Sequence, residues 1–468
     1  MVGKIMRLGC CFLLAAGMVW THAAPSLAAA PSDGSGKTSV QASVAGALRH
    51  HRSLMSAKES RTAAEHSLRQ ARAGFGPRVD VSGRSGMGII SDSSSRAYDL
   101  DKEWLGVGSV SAQLVQPLWD GFATRSRTRM ARAALDSAQA RLLDTQTTVT
   151  LNAVVAHLNL LRCRVLRELA QENVARHESI VQQAYERLAL GADTQADVAQ
   201  AQSRLKRAES LLSEADAALQ TAYATYTRTT GLEPRHLEEV LPPPGMPSDV
   251  ETLLQIAEKQ NPTLAMYLQE IRAAKGEKEL NESTFFPSVQ LEAGPSYSDR
   301  GGNRERWVYS FDVTVGVQWN IFSSGADVEG LRSASAKERA ARQNFYDFMD
   351  SLRLDMRSTW DSYQAAKEEY AHYKEAIIYN QRTCDAYHQQ FLLGTRSLLD
   401  VLDSESELYT SRSQAETARA TAIAGAYNLV ALAGDLLTRL KVSPEILSAE
   451  PLPAPPVKGE DFELGWFK

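Results

Sequence analysis

Residues 311–322 read FDVTVGVQWNIF. Phe311, Val313, Val315, Val317, Trp319 and Ile321 fall on one side of an extended chain. Asp312, Thr314, Gln318 and Asn320 fall on the other, with Gly316 among them. A period of two describes a strand with one face against an apolar medium and the other against water. That medium is either a protein core or a lipid bilayer, and the rest of the chain must decide.

Composition narrows the field. The chain has 468 residues and a net charge of −5, with no basic domain, so nucleic acid is not an expected partner. Lys4 and Arg7 precede the short apolar run CCFLLAAGMVW (10–20), and PSLA leaves Ser26 and Ala28 at −3 and −1 of a cleavage site. Residues 1–28 therefore read as an export signal, too short to span a bilayer as an anchor. Past residue 28 only Cys163 and Cys384 remain, without a CxxC or a histidine at metal spacing, so no metal and no cofactor are expected. No long apolar stretch stands out beyond the signal. Contact with lipid would fall to strands.

The chain repeats itself. GADTQADVAQAQSRL begins at Gly191 and GTRSLLDVLDSESEL at Gly394, 203 residues later. The same spacing relates Asp197 to Asp400, Val198 to Val401, Trp119 to Phe322 and Gly231 to Gly434. GFGP at 74–77 matches TFFP at 284–287 at a slightly longer spacing, as a loop insertion produces. Each half reads helix, strand, strand, very long helix, turn, helix. The first repeat is placed at 29–240, with a helix from 38 to 73, strands near 76–90 and 105–119, and a hairpin tip at 188–196. The Pro-rich segment 241–248 links it to the second repeat at 249–440, with a helix at 249–283, strands near 286–297 and 309–322, and a tip at 391–399. Residues 441–468 read as a Pro-rich, disordered tail.

Seven-residue seams run along the helices. Met356, Tyr363, Tyr370, Ile377, Cys384 and Phe391 form one; Val401, Leu408, Ala415, Ala422, Leu429 and Leu436 form another; Val198, Leu205, Leu212, Leu219 and Tyr226 a third. Such spacing is a coiled-coil signal, and it makes Cys384 a seam residue. A helix from 123 to 190 spans about 100 Å at 1.5 Å per residue. Rods of that height build a wall, not a globule.

Strands of roughly ten residues cross a bilayer when tilted. The segments between them, SDSSSRAYDLDKEW (91–104) and SYSDRGGNRERW (296–307), are long and polar. Alternation alone also fits a soluble sandwich; signal peptide, strand length and loop asymmetry favour an outer-membrane barrel. Four strands cannot close a barrel, so several copies must share one.

The segments QPLWDGFATR (116–125), ERLALGADTQADV (186–198) and QFLLGTRSLLDVLDSESELY (390–409), together with the duplication, make the chain resemble the TolC family of outer-membrane efflux and secretion ducts. The resemblance covers roughly residues 40 to 440. It implies an α plus transmembrane β-barrel fold: a homotrimer with a twelve-stranded outer-membrane barrel continued by a long periplasmic α-helical coiled-coil barrel. It also implies partners, namely a periplasmic adaptor (membrane fusion) protein, an inner-membrane ABC or proton-driven transporter, and outer-membrane lipid.

The resemblance further implies a gate at the periplasmic end. Asp400 and Asp403 match positions of acidic rings, and Arg396 with Asp197 those of a gate-holding ion pair. Asp400 and Asp403 are equally what a helix N-terminus favours. Phe391 stands where a Tyr of the family's well-known form bonds across the gate, which Phe cannot do. Leu190, Gly191 and Ala192, with Leu393, Gly394 and Thr395, resemble the tips that meet the adaptor, although any helix-ending turn wants Gly there. Arg125, Arg127, Arg129 and Arg132 open the long helix. They are either a lipid-phosphate contact or a solvated face.

No HExxH, nucleophile elbow, P-loop or dinucleotide fingerprint is present, so an enzyme is not expected. A periplasmic coiled-coil scaffold explains the heptads but not the strands. Within the duct reading, the second tip segment and the Pro-rich tail lean towards type I protein secretion rather than small-molecule efflux.

Overall fold

The computed structural model describes residues 37–89, 91, 96, 104–299 and 307–442. The export signal, most of the two strand-connecting segments and the tail beyond residue 442 lie outside them. The elements follow in order as β1 (Lys37–Thr38), α1 (Val40–His50), α2 (Arg52–Ala73), β2 (Arg78–Gly88), β3 (Leu105–Trp119), α3 (Ala123–Ala189) and α4 (Gln195–Thr230). Then come β4 (His236–Leu237), α5 (Val250–Gln260), α6 (Pro262–Glu282), β5 (Ser288–Asp299), β6 (Trp307–Gln318), α7 (Ala326–Leu392), α8 (Leu398–Leu432) and α9 (Leu436–Arg439).

Two 67-residue helices, α3 and α7, set the height, about 100 Å each. Near the sheet α3 packs against α2 and α6, and α6 against α7; towards the far end α3 packs against α4 and α8, and α8 against α7. The shorter helices thus share columns beside the two long ones. At mid-height α1, the start of α2, α3, α8 and α9 close a core around Val44, Leu54, Val154, Val430 and Leu436. Among the described residues one helix, α3, contains a stretch apolar enough to cross a membrane by length and composition, against the expectation that none exists. Half of that stretch is buried inside the protein, as in the core helix of a packed bundle.

Two helices expected as continuous are broken. The first is interrupted at His51 (φ −73°, ψ 120°) and the second at Asn261 (φ −64°, ψ 119°). A residue before proline is steered out of the helical region. Asn261 precedes Pro262 and its side chain accepts hydrogen bonds from the backbone N–H groups of Thr263 and Leu264 at 2.9 and 3.0 Å, an N-cap. Its amide also donates to the Leu432 carbonyl oxygen at 2.9 Å, tying α6 to the end of α8 in the shared column.

The sheet order is β2-β3-β5-β6, antiparallel throughout, with β2 and β6 as open edges. Register places Val79 opposite Leu114, Leu114 opposite Ala293, and Ala293 opposite Val313, which gathers one apolar face across all four strands. On β6 that face stays open: Phe311, Val313, Val315 and Val317 are 61 to 66 % exposed. Trp319 and Ile321 continue it past the strand, which ends at Gln318 rather than at residue 322. In water those six side chains would forgo on the order of 10 kcal/mol of burial. The opposite face is polar and hydrogen-bonded, with Ser82 to Ser111 at 2.8 Å, Gln113 to Glu292 at 2.7 Å and Ser296 to Ser310 at 2.9 Å.

Candidate functional site

At the end of the wall opposite the sheet, each long helix stops at a glycine in the left-handed region, Gly191 (φ 73°) and Gly394 (φ 76°). Helix-ending hydrogen bonds run from Ala192 N–H to Arg187 O and from Thr395 N–H to Gln390 O, both 2.9 Å. Such turns need a residue without Cβ strain, which glycine supplies. The next helices start from caps. Thr194 and Asp197 form a reciprocal capping box, and the Ser397 hydroxyl accepts from Asp400 N–H while donating to its carboxylate at 2.7 Å. The Thr194 hydroxyl, and then its backbone N–H, hold the Asp197 carboxyl below its ordinary range.

Between the two hairpins lies a small core of Ile180, Ala184, Val198, Ala201, Phe391, Leu398, Val401 and Leu402. Phe391 is its largest member and is 1 % exposed. Leu190 and Leu393, in contrast, project from the tips at 83 and 79 % exposure, and Gly191, Ala192, Gly394 and Thr395 are exposed beside them.

Polar contacts surround this core. Arg187 pairs with Asp193 at 3.0 Å, donates to the Phe391 carbonyl oxygen at 2.9 Å and lies over the Phe391 ring. Arg204 of α4 reaches Asp403 of α8 at 2.7 Å, and Arg176 of α3 reaches Glu405 at 3.1 Å. Arg396 lies 3.3 Å from Asp400 and 4.0 Å from the centroid of the Tyr387 ring.

The expected ion pair between Arg396 and Asp197 is not made within the chain. Each is engaged near itself, Asp197 in its capping box and Arg396 one turn away on Asp400, and such short-range partners are met at little entropic expense. Likewise Asp400 and Asp403 are not bare acids, because each has an arginine beside it. The spacing of the sequence did not reveal Arg187, Asp193, Arg204, Arg176 or Tyr387. Only the placement of Arg187 in the last turn of α3, where a cation suits the helix dipole, offered a signal.

No group of His, Cys, Asp or Glu suited to a metal ion occurs among the described residues. A sheet with one apolar face and two open edges, standing on paired helices that end in a packed tip, is the architecture of an outer-membrane channel chain. The model of the outer membrane efflux protein family matches residues 44–232 and 253–435, and the chain belongs to that family. It resides in the outer membrane, with its helical part in the periplasm. It is similar to the outer membrane efflux protein BepC of Brucella suis, 25 % identical over 341 residues, which cover 73 % of this chain and 75 % of that one. It is also similar to the alkaline protease secretion protein AprF of Pseudomonas aeruginosa, 25 % identical over 366 residues and 74 % of each chain. Among solved structures, CusC superposes with a TM-score of 0.75 at 16 % identity, covering 85 % of this chain and 92 % of that one.

Proposed function

We propose that the chain is one third of a homotrimeric exit duct of a tripartite export system, passing cargo from an inner-membrane pump across the periplasm and the outer membrane. The observation that carries this reading is the four-stranded sheet with a continuous apolar face and unpaired edges at β2 and β6. Open edges are not tolerated in lipid, so copies must join edge to edge; three give a twelve-stranded barrel. Phe311, Val313, Val315, Val317, Trp319 and Ile321 then meet hydrocarbon. Leu190 and Leu393, with the tip residues beside them, offer the apolar contact for a periplasmic adaptor, through which an ABC or proton-driven transporter supplies energy.

The hairpins around Phe391 form the gate. Arg396 and Asp197, apart within one copy, become a latch between neighbouring copies, while Asp400 and Asp403 face the axis. Because arginines screen both acids, the ring they make is weaker than two bare carboxylates per copy. A half-exposed latch pair of this kind contributes about 1 kcal/mol, small enough to release.

Type I protein secretion is the favoured cargo route, on the similarity to AprF and on the second tip segment. The comparable similarity to BepC favours small-molecule efflux as the second reading. Single-channel current through the purified protein in a planar bilayer tests the duct and the latch together. A small conductance that grows in Arg396→Ser is expected; an unchanged conductance removes the latch, and no current from detergent-extracted oligomer removes the duct.

A further inference from the structure

Between α3 and α6, on the sheet side of the wall, lies a cavity of about 430 Å³. Arg129 and Arg132 of α3 and Arg272 and Lys275 of α6 line it, with Asp136 and Glu279 as its acids. The acids are spent on the α3 arginines: Arg129 is ion-paired with Glu279, and Arg132 lies 3.2 Å from Asp136. Arg272 donates only to the Gln269 side chain at 3.2 Å, and among the described residues neither it nor Lys275 has a carboxylate in ion-pair range. Two positive charges are left facing one concave space. The helices are fixed closely there, since a Cβ on Gly276 would lie 2.7 Å from Met130 Cγ.

The duplication supplies an internal comparison. Helices α2 and α6 start at Arg52 and Pro262, 210 residues apart, and at that spacing Arg272 and Lys275 correspond to Thr62 and Glu65. Helices α3 and α7 are 203 apart, and the counterpart of Arg132 is Ser335. The other repeat carries no cation at any of these three positions.

Location suggests what fills the space. Trp119, Phe122, Phe285, Phe286 and Trp319 are exposed where strands meet helices, and Trp119 and Phe122 pack edge to face at 4.5 Å. Aromatic girdles of this kind sit at the membrane–water boundary. Arg129 and Arg132 lie roughly 9 to 14 Å further along α3, a depth the headgroup layer and the reach of long cationic side chains span together. We propose that this cavity binds a phosphate-bearing anion, with Arg272 and Lys275 supplying the uncompensated charge, and that the phosphate belongs to a lipid headgroup of the inner leaflet. The lipid clause rests on the reading of the strands as membrane-embedded; the anion site itself does not.

The test titrates the purified protein in neutral detergent with dihexanoyl phosphatidylglycerol, with inorganic phosphate and with dihexanoyl phosphatidylcholine. Wild type, R272Q/K275Q and R332Q are compared, Arg332 being the 203-spaced counterpart of Arg129 outside the cavity. Planar-bilayer conductance of each variant, measured first, reports the duct independently. Phosphatidylglycerol is expected to bind wild type and R332Q alike and R272Q/K275Q about tenfold more weakly, the scale of losing one or two charge-assisted contacts. Equal affinity for inorganic phosphate would keep the anion site and assign it to free anion. If wild type binds none of the probes, or R272Q/K275Q binds them as wild type does, with conductance intact, the site is overturned and the duct stands.

Discussion

The guanidinium of Arg187 stands 4.4 Å from the centroid of the Phe391 ring and donates to the carbonyl oxygen of the same residue at 2.9 Å. The two residues are 204 apart in the chain and belong to different hairpins, so one side chain joins the two tips. Phe391 lacks a hydroxyl, yet it is held twice, by its ring face and by its backbone. Asp193, only 10 % exposed, fixes the arginine in place from the other side at 3.0 Å.

Removing this clamp should loosen the tip without unfolding the wall. Arg187→Ala loses a cation–π contact and a charged hydrogen bond, together about 2 kcal/mol. A conductance above wild type in a planar bilayer is the expected result, with Arg187→Lys intermediate because an ammonium keeps the charge but not the planar fork. If Arg187→Ala melts earlier but conducts as wild type does, the clamp supports packing and plays no part in the gate.

Acid should weaken the fold through two buried histidines. His157 is wholly buried between the Ser43 hydroxyl at 2.9 Å and the Glu238 carbonyl oxygen at 2.9 Å, and Tyr226 completes the group by bonding Ser43 at 2.7 Å. Burial pushes the His157 pKa below 6.5 despite the raising effect of the Glu238 carbonyl; burial and then Arg204 do the same at His177. Below pH 6.5 the unfolded chain therefore binds protons that the folded chain refuses. Stability is full above pH 6.5 and falls as pH drops through the lower folded values. Melting temperatures from pH 8 to 5 should show this slope, and His157→Gln with His177→Gln should flatten it.

Gly294 is predicted to be irreplaceable. A Cβ there would lie 1.9 Å from the Ala112 carbonyl oxygen, a backbone atom that cannot swing aside. The β3–β5 ladder runs from Ser111 opposite Ser296 to Leu114 opposite Ala293, skipping Gly294 and Pro295, which is where a central strand can hold a proline. Gly294→Ala should abolish assembly of detergent-stable oligomer. Gly316→Ala, whose Cβ would meet only Gln290 Cγ at 3.9 Å, should assemble normally. Equal assembly of the two would mean that the sheet is looser than this register.

Much of this architecture is legible in the chain because its signals are local. Alternation at 311–317 and the spacing of Gly191 from Gly394 require only neighbours or self-comparison. The Asn261–Pro262 break was available by the same means; the His51–Arg52 break was not, since nothing in that dipeptide forbids a helix. The clamp stayed hidden for a different reason. Arg187, Arg204 and Arg176 find partners about 200 residues away, and heptads name the buried seam without naming what crosses it. The duplication even misleads at the tips: the counterpart of Asp193 is Arg396, so equivalent turns carry opposite charges and solve their pairing separately. Similarly, the left-handed turn before each long helix uses Gly121–Phe122 in one repeat and Ser324–Gly325 in the other, with glycine in opposite slots.

The two faces of β6 give the most direct test of the medium they meet. Thr314 and Val315 are adjacent in sequence, pair with Glu292 and Leu291 of β5, and point to opposite sides of the sheet. A positive charge on the lipid side of a barrel strand costs about 2–4 kcal/mol at mid-membrane, whereas one on the water side is solvated. Val315→Arg should therefore reduce insertion into phosphatidylcholine vesicles sharply, while Thr314→Arg inserts and shifts the conductance towards anions. In a soluble sandwich neither substitution would alter vesicle binding, and Val315→Arg would instead lower the melting temperature of a protein that stays free of lipid. Flotation of the two variants beside wild type separates these outcomes, because only a membrane-embedded strand makes vesicle binding depend on which face carries the charge.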